Sequence, residues 1–247
     1  EARRAIRAIG LAADLRATAH ALDDVVAATG GSVARPGEAR AFSGVSTDTR
    51  TLKAGELFVA LRGERFDGHA FLAQALEAGA SGLLVERGTK PPPGATTIEV
   101  ADTLRALGDL ASAYRGRFAV RVAAITGSAG KTTTKDLLAA AAAASGPTLA
   151  ARGTENNLIG VPQTLLRLGT AHRYAILELG TNQPGEIARL AALAAPEVAV
   201  VTNVGPAHLE GLGSLDGVAV EKGALYRALG ADGTIVYNTD DPHVTAQ

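Results

Sequence analysis

From residue 97 onward, short runs of consecutive apolar residues alternate with stretches whose apolar residues recur every three or four positions. The runs Val120–Ile125, Tyr174–Leu179, Val198–Thr202 and Thr234–Tyr237 do not alternate polar with apolar, which is the pattern of strands covered on both faces. Between them, Thr132–Ala144, Gly185–Leu193 and Val218–Leu229 read as helices. Strand and helix in turn predict an α/β fold built on a mostly parallel sheet with helices on both faces.

The earlier part of the chain is patterned differently. Residues 1–30 read as helical with a stop at Gly30-Gly31, and Phe42–Leu61 reads as short strands among turn residues. A helix over Ala70–Ala80 and a buried strand at Leu83–Val85 follow. Lys90-Pro91-Pro92-Pro93-Gly94 is the stiffest segment and the best linker candidate. This places a smaller α/β domain at 1–95 and a larger one at 96–247, the latter opening with a strand at Thr97–Val100 and a helix at Leu104–Tyr114.

Composition narrows the function. Of 247 residues, 47% are apolar and 20% charged, ordinary for a folded domain, so disorder is excluded as the main state. A formal charge of −1 gives no global reason to bind nucleic acid or an anionic membrane. Without cysteine there is no disulfide, thiolate metal site or cysteine nucleophile, in keeping with a cytoplasmic protein. The apolar stretches fall short of the roughly 20 residues a membrane span needs. The first residue is Glu rather than Met, which points to a fragment.

The most informative segment is Thr126-Gly127-Ser128-Ala129-Gly130-Lys131-Thr132-Thr133, set between a buried strand and a helix. Glycines allow torsions that turn successive N–H groups inward, and the helix N-terminus adds partial positive charge. Lys131 supplies a full charge for β- and γ-phosphates, and the Thr132 hydroxyl is a Mg²⁺ ligand. The general spacing is G-x-x-x-x-G-K-[ST], whereas Gly127 here precedes Gly130 by three positions.

Other residues remain open on their own chemistry. Glu178, at a strand end, either holds a cation beside ATP phosphates or caps the next helix. His208 follows the next strand, where a lone His is more often structural than a ligand. Asn156 and Asn157 either orient a phosphate or cap the helix through Gln163–Leu168. Lys222 by itself is a solvated helix lysine. Arg50 pairs either with a diphosphate or with Asp48, and Asn238-Thr-Asp240-Asp241-Pro242 reads as an Asx-turn.

The shortened loop resembles T-G-[ST]-x-G-K-[ST] of the Mur ligases and their folylpolyglutamate synthetase relatives. The blocks Gly44–Arg50 with Gly55–Gly63, Asn156–Pro162, Glu178–Ile187 and Thr202–Leu215 extend that resemblance over about Ala21–His243. The strings Glu178-Leu-Gly-Thr-Asn and Gly205-Pro-Ala-His208-Leu-Glu are similar to one branch of the family, whose substrates are UDP-N-acetylmuramoyl-tripeptide and D-alanyl-D-alanine.

The resemblance implies an ATP- and Mg²⁺-dependent amide ligase of peptidoglycan precursor synthesis, cytoplasmic and monomeric, with no nucleic-acid partner and no membrane insertion. It implies one Mg²⁺ on Thr132 and Glu178, and a second on His208 and a CO₂-carbamylated Lys222. Asn157 falls near the γ-phosphate, and Gly127–Thr133 around the phosphates. Asn238 and Asp241 fall against adenine and ribose. Ser46, Asp48 and Arg50 fall in the UDP-sugar pocket, and Asp67-Gly68-His69 near the same substrate. It also implies a third, C-terminal domain that no stretch here matches, so the fragment alone is expected not to be a competent ligase. Sibling ligases, including the third-residue-adding enzyme and folylpolyglutamate synthetase, stand as alternatives, as does a non-catalytic nucleotide-binding fragment. A GTPase is disfavoured, because no N-K-x-D string is evident.

Overall fold

The structure, a computed structural model, describes residues 18–63 and 66–247. The helix expected over 1–30 is seen as α1, Leu22–Thr29, closed by Gly30 in the left-handed region (φ 62°); its expected part over 1–17 lies outside the described residues. The chain divides into two compact units, 1–113 and 114–247.

The first unit contains β1 (His20–Ala21), β2 (Ser32–Arg35), β3 (Ala41–Phe42), β4 (Val45–Ser46), β5 (Leu57–Val59), α2 (Leu72–Glu77), β6 (Gly82–Glu86), β7 (Thr96–Val100) and most of α3 (Thr103–Arg115). Its five-stranded sheet runs β2-β7-β6-β5-β4, parallel except for β2 against β7. The helix expected at Ala70–Ala80 begins as a 3₁₀ turn, Gly68–Phe71, and continues as α2. Phe58, Leu72, Ala75, Leu83 and Val85 pack together in the core of this unit.

The domain boundary expected at residue 95 is corrected by this sheet. Strand β7 pairs along its whole length with β6, so Arg87–Ala95 is the return connection between adjacent parallel strands and not a linker. Nine residues of extended chain span ~30 Å, ample to run back along a five-residue strand. The division falls instead between Ala113 and Tyr114, near the end of α3.

The second unit adds β8 (Arg121–Thr126), α4 (Lys131–Ala143), β9 (Thr148–Ala150), α5 (Gly160–Leu165), β10 (Tyr174–Glu178), α6 (Glu186–Ala194), β11 (Val198–Val201), α7 (Leu209–Leu212), α8 (Leu215–Arg227), β12 (Thr234–Tyr237) and α9 (Pro242–Thr245). Its sheet is wholly parallel, in the order β12-β11-β8-β10-β9. Ala123 and Ile125 of β8, with Ile176 of β10, pack against Leu138, Ala139 and Ala142 of α4. Helices α6 and α8 contact β8 and each other.

The order has a functional consequence. After β8 the chain goes to the edge strand β9 and returns to β10 beside β8, then crosses to β11 and β12 on the other side. Open parallel sheets bind ligands beyond the carboxyl ends of the strands, at the point where the winding reverses. Here that point is the tip of β8, flanked by the tips of β10 and β11.

Candidate functional site

The loop leaving β8 is shaped by two glycines. Gly127 has φ +151°, and a Cβ placed on it would lie 1.9 Å from Thr202 Oγ1, so no side chain fits. Gly130, at φ +79°, caps α4. The amides of Gly130–Thr133 form the first turn of α4 and have no intrahelical partners, which makes them natural donors to an anion. The amides of Ser128 and Ala129, expected to share that task, instead donate to Asn203 O (3.0 Å) and Asn203 Oδ1 (2.9 Å). Lys131 Nζ reaches back across the loop to Gly127 O at 2.8 Å.

Glu178, at the end of β10, is only 2% exposed. Its Oε2 accepts from Thr132 Oγ1 (2.8 Å) and its Oε1 from Asn156 Nδ2 (2.9 Å). The carboxylate thus lies against the first turn of α4, at the end of the phosphate loop, through Thr132. Asn157 takes the capping role: its Oδ1 accepts from the amides of Ile159 (3.1 Å) and Gly160 (2.9 Å). The segment carrying both asparagines is anchored by Glu155, which accepts from Arg167, the Arg152 amide and Thr164. Burial raises the Glu155 pKa, but these bonds outweigh it and hold the carboxyl at about 2. Lys135, buried in α4, donates to Ala151 O at 3.0 Å at the head of the same segment.

A pocket of about 160 Å³ opens between these tips, lined by Lys131, Asn156, Asn157, Gly180–Asn182, Glu186, His208 and Lys222. Lys222, a solvated residue on sequence grounds, is in fact 2% exposed. The structure gives its ammonium group no hydrogen-bond partner among the described residues. Burial and then the charge of Lys131 push its pKa down to about 8, against the opposing charge of Glu221. His208 adopts a left-handed backbone (φ 55°) at the start of α7; its exposed ring makes no capping bond and lines the pocket. Glu178 and His208 thus flank the same loop from neighbouring strand tips.

The residues present fit a magnesium–polyphosphate. Two ammonium groups face one small concavity where a polyanion relieves their repulsion. Among the described residues no cluster of three acidic or His side chains is placed to cage a metal. The donors instead are a hydroxyl, a carboxylate and an imidazole, as for Mg²⁺ completed by phosphate oxygens.

Two residues that sequence reasoning missed organise the rim. Glu221 of α8, 6% exposed, accepts from the amides of Gly185 (2.7 Å) and Ile187 (2.8 Å) and from Thr181 Oγ1 (3.2 Å), fixing the loop that lines the pocket. Asn203 pairs with the phosphate loop. In the sequence it stands within the block Thr202–Leu215, as a polar residue directly after a buried strand, with no role attached. Asp241 caps α9 through the amides of His243 and Val244 and holds Val204 N at 2.7 Å. Burial raises its pKa, but these three amides bring it below the usual carboxylate range. Asn238 Oδ1 closes the expected Asx-turn on the Asp240 amide at 3.0 Å.

In the first unit, Arg50 Nε donates to both Asp48 oxygens (2.9 and 3.1 Å) in an exposed ion pair. That bond and the Arg50 amide lower the Asp48 pKa. Ser46 Oγ donates to Asp48 O (3.0 Å) within the same turn. The Glu86 amide donates to His69 Nε2, so His69 Nδ1 carries the proton and donates to Asp67. The His69 amide, then the His69 ring, hold Asp67 at about 2.

Two family models match, the Mur ligase middle domain over residues 125–247 and the Mur ligase family catalytic domain over residues 41–115. The chain belongs to the Mur ligase family. This Mur ligase chain is 48% identical to the UDP-N-acetylmuramoyl-tripeptide–D-alanyl-D-alanine ligase of Escherichia coli over 80% of its own length and 43% of that relative's. The Bacillus subtilis protein of the same name is 43% identical over 86% of this chain and 47% of its own. Among solved structures, MurF from Acinetobacter baumannii superposes with a TM-score of 0.84 at 37% identity, covering 91% of this chain and 49% of that one. MurF ligase from Thermotoga maritima, solved in complex with ADP, gives 0.76 at 32% identity, covering 82% and 47%. The Mur ligase chain therefore spans somewhat less than half the length of the relatives it matches.

Proposed function

We propose that this chain is the UDP-substrate and ATP-binding portion of a ligase that joins D-alanyl-D-alanine to UDP-N-acetylmuramoyl-tripeptide. The observation that carries the reading is Lys131 and Lys222 facing one pocket beside the Thr132–Glu178 pair, at the reversal point of a parallel sheet. The names of the E. coli and B. subtilis relatives support the substrate pair, and the ADP complex of the T. maritima relative supports the nucleotide.

In this reading the tripeptide carboxylate accepts the γ-phosphoryl group of ATP to give an acyl phosphate, and the dipeptide amine then displaces phosphate. Bound Mg²⁺ supplies charge neutralisation at the phosphates. The protein's part is positioning and electrostatics. The amides of Gly130–Thr133 and Lys131 hold the β- and γ-phosphates. Thr132 and Glu178 hold one cation, His208 and Lys222 the other, and the Asn157 amide nitrogen faces the γ-phosphate.

Lys222 binds a cation only as its CO₂ adduct. A pKa near 8 in place of 10.5 raises the fraction of neutral, nucleophilic amine at pH 7 about 300-fold. The amine nitrogen bonds to CO₂ carbon and releases one proton, which turns an ammonium into a carboxylate-like ligand.

Ser46, Asp48 and Arg50 belong to the UDP-sugar pocket of the first unit in the same reading, and Asn238 lies by the nucleoside. A cytoplasmic monomer completes it. Among the described residues no helix is long and apolar enough to cross a membrane.

The test is ADP release by the intact protein that carries this chain. Multiple-turnover ADP release and the amide product are expected only when ATP, UDP-N-acetylmuramoyl-tripeptide and D-alanyl-D-alanine are all present, since without the dipeptide the reaction halts at the acyl phosphate. Amide formation with a single amino acid on a UDP-dipeptide, or with glutamate on a folate, would assign the chain to a sibling ligase. No ADP with any acceptor would favour a non-catalytic nucleotide-binding protein.

A further inference from the structure

Beyond the end of the β8–β11 pairing, six side-chain and backbone hydrogen bonds join Ser128-Ala129 to Thr202–Gly205. Asn203 is at the centre. Its carbonyl accepts from the Ser128 amide at 3.0 Å, its Oδ1 accepts from the Ala129 amide at 2.9 Å, and its Nδ2 donates to Ala129 O at 3.1 Å. A primary amide that accepts from the N–H and donates to the C=O of one residue reproduces the two bonds of a strand neighbour. Asn203 thereby continues the sheet past its last backbone pair, Val201 with Thr126. Thr202 Oγ1 reaches Ala129 O at 2.6 Å, and Ser128 Oγ donates to Gly205 O (2.9 Å) while accepting from Gly205 N (2.8 Å).

Five residues after Asn203 the chain reaches His208, which lines the same pocket as Lys131. The phosphate loop has its own supports, in β8 pairing, the Lys131–Gly127 bond and α4. Residues 203–208 have left the sheet: His208 is tied at its far end to α7, through its carbonyl accepting from the Gly211 and Leu212 amides, and at the near end the segment is held by this latch and by Asp241 on Val204 N.

We infer that Asn203 is a positioning residue that sets His208 against the phosphate loop, so that the imidazole meets a cation held on the bound triphosphate. The inference rests on the nucleotide reading above and adds to it a residue that need not touch the nucleotide. Ser128 and Ala129 then serve by holding the neighbouring strand tip, and the phosphates fall to Gly130–Thr133.

The test is a double-mutant cycle read by calorimetric titration of ATP into the 247-residue chain, with Mg²⁺ and with EDTA. Asn203→Ala is expected to weaken Mg²⁺–ATP binding about tenfold, to change metal-free binding less than twofold, and to add nothing in a His208→Ala background. Additive losses, or equal losses with and without Mg²⁺, would overturn the inference and leave Asn203 a general prop of the fold. If wild-type chain binds ATP in neither condition, the nucleotide reading fails and takes this inference with it. Thermal melts monitor folding. Should Asn203→Ala unfold, Asn203→Asp keeps the acceptor for the Ala129 amide and loses the donor, and the same non-additivity with His208→Ala is required of it. In the nucleotide-free chain, the His208 ring resonances should shift or broaden on either substitution. An unchanged His208 spectrum would also count against the latch.

Discussion

Lys222 is buried with no hydrogen-bond acceptor among the described residues, and the consequence is measurable without any ligand. Its pKa is about 8 in the folded chain against the ordinary 10.5. Below pH 8 it is protonated in both folded and unfolded chains, and the folded state bears the full penalty of a buried cation. Between pH 8 and 10.5 the unfolded chain holds more protons at this site, so its contribution to stability rises with pH. Lys222→Met is therefore expected to be more stable than wild type at pH 7, by on the order of 3 kcal/mol from 1.36 kcal/mol per unit, with the gap closing by pH 10.5. Urea unfolding of both proteins at pH 7 and pH 10 checks this; a gap independent of pH would contradict it. At this scale, identities that carry their own chemistry were legible: Lys131, Thr132 and Glu178 announce a phosphate site by type and spacing. Asn203 was not, because its partner Ala129 is 74 positions away and an asparagine after a strand has many uses.

Helices and strands were legible where their period was long and unbroken, and their ends less so. Helix α5 sits at Gly160–Leu165 rather than Gln163–Leu168, because Asn157 captures the Ile159 and Gly160 amides and starts the turn early. The proline run misled for a physical reason. A stiff extended segment has the same composition whether it separates domains or carries the chain back between β6 and β7. Element junctions also depend on buried carboxylates that no pattern marks. Glu221 of α8 binds the amides at the start of α6, 34 and 36 residues earlier in the chain. Glu221→Ala removes the only acceptor these interactions share and is expected to lower stability by about 1–3 kcal/mol. Glu221→Gln, which keeps one acceptor oxygen, should recover part of it. Denaturant midpoints at unchanged m-value give the comparison, and an Ala variant as stable as wild type would remove Glu221 from the account.

In the second unit the positions of the chemistry follow from topology. Parallel strands on either side of β8, wound in opposite directions, leave a crevice at their tips. The sequence then places a glycine loop at the tip of β8, a carboxylate at the tip of β10 and, seven residues beyond β11, an imidazole. The middle-domain match over residues 125–247 and the close superposition on MurF structures agree with that arrangement. Its central claim is that the first turn of α4 grips a triphosphate whose cations meet neighbouring strand tips. The most direct measurement is a titration of Mg²⁺–ATP into ¹⁵N-labelled chain, followed by amide chemical shifts, with Lys131→Ala as control. The account predicts the largest shifts at Gly130–Thr133, accompanied by His208, and their loss in Lys131→Ala. Saturable binding that leaves Gly130–Thr133 unmoved, or that shifts only residues of the first unit, would contradict it.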